Sequence, residues 1–172
     1  MKIKRSTEQI LKVLFIVSIA CISMLSACSS EAATAKEGDT VKVLYVGTYE
    51  NGSVFDSSEL HGGDPLEFTI GEGRLLPDFE QAVIGLAESE SSDVSISAED
   101  GYGPLEVVLT LESGAEPPVL GQQYQVQLTN GKVIIAVVTN VSETNVTFLN
   151  THQLAGQNLN FEITLVEIVS TE

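Results

Sequence analysis

The feature that most constrains the fold of this chain is a strand-like alternation that runs directly into a tight-turn dipeptide. Over residues 39–49 apolar and polar residues alternate, which is the period of a half-buried β-strand. Asn51-Gly52 follows at once, and this dipeptide between apolar runs is a strong short-range hairpin signal. The pattern therefore predicts an antiparallel hairpin whose return strand begins over residues 53–56.

The segment that follows is predicted to contain two more short strands and one helix. The strands are expected at 66–70 and 92–98. Between them, an amphipathic helix of about ten residues is predicted to begin at Pro77, which suits the first helical position. Its apolar face has i, i+3, i+4, i+7 spacing and comprises Phe79, Ala82, Val83 and Leu86. With a final strand over 161–168, the strands and single helix indicate an α+β fold.

A second group of strands is predicted after Leu105. Apolar segments at 124–128, 133–141 and 146–149 are separated by Asn130-Gly131 and by a polar break, so a three-stranded antiparallel unit is expected. Residues 133–138 form a continuous apolar run within it. One interpretation leaves part of this run exposed as a binding surface. The other packs it as ordinary core against Tyr124, Leu120 and Phe148.

The first 28 residues have the order of a secretory lipoprotein signal. Basic residues precede an apolar stretch at 13–25, which is shorter than the roughly 20 residues of a membrane-spanning helix. The basic residues are Lys2, Lys4, Arg5 and Lys12. The stretch ends in Leu25-Ser26-Ala27-Cys28, which resembles the lipobox at which bacterial-type lipoproteins are cleaved and lipidated.

We therefore expect residues 1–27 to be removed as a signal peptide, Cys28 to carry the lipid, and residues 28–38 to be a tether. The alternative is an uncleaved signal anchor with a chance cysteine. Cleavage before Cys28 would place the protein outside the cytoplasm, anchored to the cell membrane through its lipid.

Charge and composition exclude several classes of partner. The formal net charge is −16 at pH 7, and nothing resembles the basic patch that neutralises phosphates, so nucleic acid is not an expected partner. Both cysteines, Cys21 and Cys28, belong to the N-terminal segment, and the only histidines are His61 and His152. The folded part thus lacks the usual transition-metal ligands, and neither a metal nor another cofactor is expected.

Four segments together resemble the successive signatures of an FKBP-type peptidyl-prolyl cis-trans isomerase. They are Tyr45-Val46-Gly47, the segment Asn51-Gly52-Ser53-Val54-Phe55-Asp56-Ser57-Ser58, Phe68-Thr69-Ile70-Gly71, and Asp100-Gly101-Tyr102-Gly103. Residues 152–161 resemble the SlyD-type subgroup, in which a second domain is inserted in the flap. The resemblance implies an antiparallel half-barrel wrapped on one short helix. It assigns residues 39–103 and 151–172 to the isomerase domain, and 104–150 to a small, mostly β insert.

The same resemblance implies a set of pocket residues. The catalytic members it implies are Tyr45, Phe55, Asp56, Tyr102 and Phe161. The substrate-binding members it implies are Leu66, Leu75, Leu76, Phe79 and His152. Judged one by one, the apolar members fit ordinary core positions better, and only their joint match to the family favours a pocket. Asp56 would polarise the site or order it through hydrogen bonds.

The resemblance implies isomerisation of X-Pro bonds in unfolded or exported proteins, with chaperone activity from the insert. No cofactor is needed, because rotation about an amide bond requires neither a nucleophile nor a redox group. The expected partners are proline-containing unfolded polypeptides and, through Cys28, the membrane; the chain is expected to be a monomer. The alternatives are a non-catalytic, lipid-anchored holdase and, less well supported by the pocket residues, a surface ligand-binding module.

Overall fold

The computed structural model describes residues 33–112 and 116–169 of the 172-residue chain. The predicted signal peptide and the lipidation site Cys28 lie outside these residues. The first group of elements is β1 (Thr40–Tyr49), β2 (Val54–Ser57), a 3-10 helix (Ser58–His61), β3 (Leu66–Thr69), α1 (Pro77–Gln81) and β4 (Ser91–Ile96). The second is β5 (Glu106–Thr110), β6 (Gln123–Gln127), β7 (Val133–Val141), β8 (Asn145–Asn150) and β9 (Leu159–Val169).

The first sheet is built around β1, which is paired along both of its edges. On one edge β9 runs antiparallel to β1 over its whole length, from Thr40 opposite Val169 to Tyr49 opposite Leu159. On the other edge β3 pairs with the start of β1 and β2 pairs with its end. β4 then pairs with the outer edge of β9. The predicted Asn51-Gly52 hairpin is therefore present as β1 and β2.

The core of the first sheet follows from the alternation along its strands. Val41 and Val43 are fully buried on β1, and Ile163 and Leu165 are fully buried on the paired strand β9. Phe68 on β3 and Phe79 on α1 pack against the same cluster. α1 closes one side of this apolar layer, and over the described residues the mostly antiparallel sheet with one small α-helix agrees with the predicted α+β class.

The helix is shorter than the roughly ten residues predicted from its apolar spacing. It covers Pro77–Gln81 and is followed by turns whose hydrogen bonds span three residues, as in Ile84 N–H to Gln81 O at 3.2 Å. Gly85 has φ 89° and donates to Ala35 O at 2.8 Å. The apolar spacing continues through these turns. Backbone hydrogen bonds to the segment that precedes β1 take the place of the hydrogen bonds that a longer helix would form.

Part of the predicted tether is docked on the domain. Ala35 is buried, accepts that bond from Gly85, and donates its own N–H to Leu86 O at 2.8 Å. Thr34 forms an isolated antiparallel bridge with Ala87. The stretch just before β1 is consequently part of the folded unit, where the sequence predicted a coil.

The second sheet has four strands in the order β5-β8-β7-β6, all antiparallel. The prediction of three strands missed β5, which pairs with β8 from Glu106 opposite Leu149 to Thr110 opposite Asn145. Its core is aliphatic apart from Phe148, and Tyr124 packs at its margin. The buried residues of this core are Val126, Ile134, Ala136, Val138, Val146 and Phe148.

The apolar run on β7 divides between the two faces of this sheet. Ile134, Ala136 and Val138 point into the core, whereas Val133 and Ile135 are 55% and 53% exposed. Leu120, which was expected to cover the run, is itself exposed. The run is therefore ordinary core on one face and exposed on the other, and its use as a binding surface stays a prediction. In the part of the chain that the structure describes, no helix has the length and apolar character to cross a bilayer.

Candidate active site

An apolar cavity of about 270 Å³ lies between the first sheet, the helix and the loop that follows β4. β1, β2, β3 and β9 supply part of the wall, α1 and the preceding loop supply the floor, and the loop after β4 supplies Tyr102. The lining residues are Tyr45, Asp56, Leu66, Arg74, Leu75, Leu76, Phe79, Tyr102 and Phe161. The cavity is thus mostly aromatic and aliphatic, with two charged side chains.

Phe79 is the centre of the aromatic packing around the cavity. Its ring lies edge-to-face against Phe161 at 5.3 Å between centroids and against Tyr45 at 5.9 Å. Phe68 of β3 packs on it with ring centroids 6.0 Å apart. Edge-to-face pairs of this kind stabilise the folded state beyond the area they bury. The rings therefore restrict one another's orientations and define the shape of the cavity.

Phe55 is behind this wall and does not line the cavity. Its ring packs edge-to-face on Phe161 at 5.6 Å and tilts against Tyr49 at 5.2 Å. The close approach requires a glycine on β1: a Cβ at Gly47 would lie 2.7 Å from Phe55 Cζ and 3.0 Å from Phe161 Cε1. Gly47 thus lets two rings pack directly on the backbone, and Phe55 supports Phe161 from the back.

Asp56 is held by three hydrogen bonds at the edge of the cavity. The Tyr45 hydroxyl donates to its Oδ2 at 2.9 Å, while His61 Nε2 and the Ser57 backbone N–H reach its Oδ1 at 2.8 and 2.9 Å. Ser58 Oγ accepts from the backbone N–H of Tyr45 at 3.0 Å. The 3-10 helix that follows β2 therefore fixes both partners of the Tyr45–Asp56 pair.

The pKa values of these groups are shifted for identifiable reasons. Burial and the hydrogen bond to Asp56 raise the pKa of Tyr45 to about 12. Burial alone raises the pKa of Asp56, but hydrogen bonds from Tyr45 and His61 outweigh it and hold that pKa below its ordinary value. Burial and the negative charge of Asp56 raise the pKa of Tyr102. At neutral pH the site therefore presents one carboxylate and two protonated phenols.

A buried carboxylate organises the loop that forms the cavity floor. Glu80 is 4% exposed; its Oε2 accepts from the Gly71 N–H at 2.8 Å and its Oε1 from the Leu75 N–H at 3.2 Å. The loop between β3 and α1 is thereby folded so that Leu75 and Leu76 face the cavity. Arg74 lies at the rim, and its guanidinium is 4.0 Å from the exposed carboxylate of Glu72.

Tyr102 separates the cavity from a second depression. Its ring stacks on His152 with centroids 3.9 Å apart and an interplanar angle of 6°. The Leu154 backbone N–H donates to His152 Nδ1 at 3.2 Å, which fixes the imidazole orientation. The second depression has a volume of about 310 Å³ and extends from Tyr102 and His152 to Val133 and Ile135 of the second sheet. Tyr102 is thus shared by the two concavities.

Comparison with known proteins identifies the family. The family model described as "FKBP-type peptidyl-prolyl cis-trans isomerase" matches residues 31–166 of the chain. The chain belongs to the FKBP-type peptidyl-prolyl cis-trans isomerase family. That match covers both sheets, and the cavity described above lies within it.

Individual FKBP relatives match the chain to different extents. The short-type peptidyl-prolyl cis-trans isomerase of Methanocaldococcus jannaschii is 31% identical over 153 residues, covering 80% of this chain and 96% of the relative. FK506-binding protein 3 of Dictyostelium discoideum is 44% identical over 70 residues, which is 41% of this chain and 36% of the relative. FK506-binding protein 2 of Yarrowia lipolytica is 39% identical over 84 residues, which is 48% of this chain and 58% of the relative. The chain thus spans only about a third to three fifths of the length of the last two relatives.

Eight of the ten FKBP pocket residues named from the sequence line the cavity. The two exceptions are Phe55, which supports Phe161 from behind, and His152, which stacks on the far side of Tyr102. Sequence reasoning missed His61, Glu80 and Arg74. Glu80 directly follows the predicted pocket residue Phe79, and a charged residue on the inner side of the predicted helix was the available signal for its role. No local sequence pattern distinguished His61.

Within residues 33–112 and 116–169, no cluster of three histidine, cysteine, aspartate or glutamate residues is arranged to hold a metal ion. The lining of the FKBP cavity itself offers three kinds of interaction. It provides an apolar enclosure, phenolic hydroxyl groups that donate hydrogen bonds, and one fixed carboxylate.

Proposed function

We propose that this chain is a peptidyl-prolyl cis-trans isomerase that acts on X-Pro bonds of unfolded or exported polypeptides. The observation that carries the proposal is the aromatic cavity, about 270 Å³ in volume, with Tyr102 and the Tyr45–Asp56 pair at its edge. A pyrrolidine ring fits an apolar enclosure of this size, and the FKBP-family membership supports the same reaction.

Isomerisation of an X-Pro bond requires only that the planar amide be destabilised relative to its twisted form. Resonance gives the amide a rotational barrier of about 18–20 kcal/mol and makes it strongly dipolar. An apolar cavity withdraws water from that dipole and so favours the less dipolar, twisted transition state. We assign this desolvation to Phe79, Phe161 and Leu76. Each 1.36 kcal/mol of preference for the twisted form accelerates exchange about tenfold.

The polar groups orient the peptide and order the wall. We assign to the Tyr102 hydroxyl a hydrogen bond to a substrate carbonyl, because this phenol lines the cavity and stays protonated at neutral pH. Both oxygens of Asp56 already accept hydrogen bonds, one of them from Tyr45. This favours a role for Asp56 in holding the Tyr45 ring in place, with polarisation of the amide as the alternative.

An NMR exchange measurement on a short X-Pro peptide tests the isomerase proposal directly. The purified protein is expected to accelerate cis-trans exchange, and Tyr102→Ala is expected to lower kcat/KM at least about tenfold, given the tenfold change per 1.36 kcal/mol. Tyr124→Phe, a change in the second sheet, serves as the control and should retain the activity. Exchange at the uncatalysed rate with the unmodified protein would refute the proposal.

We propose that residues 104–150 form an inserted domain with chaperone activity, as in the SlyD-type plan, between the two segments 39–103 and 151–172 of the isomerase domain. The support is the open face of the second sheet. On it Val133 and Ile135 of β7 lie beside Gln127 and Gln125 of β6, and Val108 of β5 is 61% exposed. An exposed strand face that carries large apolar side chains among uncharged polar ones fits an extended, unfolded chain.

The rival function is a non-catalytic holdase in which the first sheet is only a scaffold. Ile135→Gln distinguishes the two, because this exposed substitution changes the open face and leaves the cavity residues untouched. If both activities exist, the variant should lose aggregation suppression and isomerisation of an unfolded protein while its activity on a short peptide stays unchanged. Equal activity of variant and wild type in all three assays would remove the capture role.

We propose that the protein is a monomer anchored outside the cytoplasm by a lipid on Cys28. The support is the N-terminal sequence, with the lipobox-like Leu25-Ser26-Ala27-Cys28. Incorporation of labelled fatty acid, lost in Cys28→Ala together with membrane association, is the expected result. A Cys28→Ala protein that remains in the membrane fraction would favour the uncleaved signal anchor.

A further inference from the structure

The loop that carries Tyr102 lies outside the strands of the first sheet, which forms most of the cavity wall. It runs from the end of β4 to the start of β5, so Tyr102 belongs to neither strand. Within the loop, the Gly101 N–H donates to Ser97 O at 2.8 Å and the Gly103 N–H to Ala98 O at 2.7 Å. The loop is therefore a single helix-like turn, and such a turn leaves its last carbonyl groups without partners from its own backbone.

Those carbonyls converge on one lysine of the second sheet. Lys132 Nζ donates to the carbonyl oxygens of Gly101 and Asp100 at 2.5 Å each, and to that of Glu99 at 3.3 Å. An ammonium has three donors and no acceptor, so the three carbonyls match its full capacity. Lys132 lies beside the turn between β6 and β7, which shows that a hairpin of the second sheet caps the loop carrying Tyr102.

Asn150 holds the other side of the same loop. It is 5% exposed at the end of β8; its Nδ2 donates to Tyr102 O at 2.8 Å and to Pro104 O at 3.3 Å. Its Oδ1 accepts from the His152 N–H at 3.0 Å. One buried amide therefore ties the backbone of Tyr102 to the residue whose ring stacks on Tyr102.

The packing at this junction leaves little room for displacement. Gly103 has φ 86°, and a Cβ there would lie 3.2 Å from Ile134 Cγ2 and 3.3 Å from Asn150 Nδ2. The loop therefore lies directly against β7 and β8. Every backbone carbonyl group from 99 to 104 accepts a hydrogen bond. Gly103 O accepts from the Gly156 N–H at 2.9 Å. The donors to the other carbonyl groups are the side chains of Lys132, Asn130 and Asn150.

We propose that Lys132 and Asn150 are positioning residues for the prolyl isomerase reaction, through which the second sheet sets the location of Tyr102 in the cavity. This inference rests on the proposed function for its kinetic consequences. It gives the second sheet a part in catalysis on every substrate, including peptides too short to reach its open face. The second sheet then contributes to the proposed function in two ways: through its exposed face, and through the hydrogen bonds that hold this loop.

Lys132→Met tests the proposal, because it keeps the length and apolar stem of the side chain and removes the ammonium. On a short X-Pro peptide its kcat/KM should fall about tenfold, since small displacements of a substrate-orienting group lower rates by one to two orders of magnitude. Lys132→Gln, whose amide can still donate to the carbonyls, should lose less and provides the measurement if Lys132→Met does not fold. Lys42→Met is the matched control: its ammonium also makes a short contact, to Glu167 Oε2 at 2.6 Å, but on the first sheet.

A double-mutant cycle separates positioning from general destabilisation. If Lys132 acts through Tyr102, then Lys132→Met should cause no further loss of kcat/KM in a Tyr102→Ala background. In parallel, the NMR signals of the Tyr102 ring should move in Lys132→Met while those of Tyr45 stay in place. Independent, additive losses in the cycle, or an unmoved Tyr102 ring, would overturn the proposal.

The proposed isomerase function and the positioning role of Lys132 can be refuted separately. If the unmodified protein does not catalyse exchange, the proposed function fails, and the Tyr102 ring signals alone then decide the positioning role. If the unmodified protein is active and Lys132→Met matches it in kcat/KM, the function stands and the positioning role is refuted.

Discussion

The two sheets of this molecule are both antiparallel but use their apolar residues in opposite ways. The first sheet turns Tyr45 and Phe161 inward, where together with Phe79 of α1 they enclose a cavity with their faces and edges. The second sheet buries one face on a mostly aliphatic core and leaves Val133 and Ile135 of the other face in solvent. Concave enclosure suits a small rigid group such as a pyrrolidine ring, whereas an open strand face suits an extended chain of varied sequence.

The strongest test of this contrast replaces one buried phenylalanine in each sheet. Removal of a buried phenylalanine ring costs about 3–5 kcal/mol of unfolding free energy, so Phe161→Ala and Phe148→Ala should both be clearly destabilised. Phe161 lines the cavity and Phe148 does not. Denaturant unfolding should show similar losses, whereas exchange of a short X-Pro peptide, measured at a temperature where both variants are folded, should be abolished only in Phe161→Ala. Equal losses of activity would mean that the two sheets are not functionally distinct.

A smaller effect is expected from Gly47, where two rings of the first sheet pack on bare backbone. Gly47→Ala places a Cβ 2.7 Å from Phe55 Cζ and should lower the unfolding free energy by about 1–3 kcal/mol, as overpacking does. Phe55→Leu should partly rescue this variant by making room, so the two changes should be strongly non-additive in chemical denaturation. Additive losses would show that the rings are not in direct contact with this backbone.

The charged site on the first sheet should give that sheet a distinctive alkaline response. Burial and Asp56 raise the pKa of Tyr45 from 10.0 to about 12. The folded state thus favours the neutral phenol, and this stabilisation is complete below pH 10 and lost as the pH rises toward 12. An absorbance titration of tyrosinate should show a late-ionising tyrosine that Tyr45→Phe removes. A Tyr45→Phe titration identical to that of the wild type, apart from amplitude, would contradict the assignment.

The smallest expected effect concerns Asp56 in acid, because its carboxylate is 39% exposed and solvent screens its interactions. Its folded-state pKa is below the ordinary value, so its contribution to stability is present above the unfolded-state pKa and is lost as pH falls through the folded-state value. Urea unfolding between neutral and strongly acidic pH should show a slightly weaker acid dependence in Asp56→Asn. Asp93→Asn, a change on the exposed face of β4, is a suitable control.

The local parts of both sheets could be predicted from the sequence, and the non-local parts could not. The Asn51-Gly52 and Asn130-Gly131 turns were identified because this dipeptide is a strong local hairpin signal, in which the glycine supplies the positive φ angle: Gly52 has φ 81° and Gly131 has φ 86°. β5 was missed because its partner strand, β8, is some forty residues away in the sequence. Most of β5 is also exposed, and its residues show no clear alternation of apolar and polar side chains. The helix was predicted too long because the backbone of Ala35, which precedes β1, forms hydrogen bonds with Gly85 and Leu86 in place of helical partners.

The same division applies to the site. The lining residues were named because the family motifs occur together, whereas His61 and Lys132 act through partners that only the fold brings near. Lys132 shows the limit most clearly: in sequence it is one exposed-looking lysine after a turn, and its three carbonyl partners are about thirty residues distant. Patterns of residue type indicate what lines a cavity but not what holds the lining in place.

The pairing of β1 with β9 also fixes an order of assembly. These strands lie more than one hundred residues apart, from Thr40–Tyr49 to Leu159–Val169, so the cavity can close only after nearly the whole domain has been synthesised. The strands of the second sheet are joined mostly by short turns, and such local contacts form faster. Pulse-labelled hydrogen exchange during refolding should find β6 to β8 protected before β1. A nascent copy of this protein would thus present its open strand face before it has any cavity.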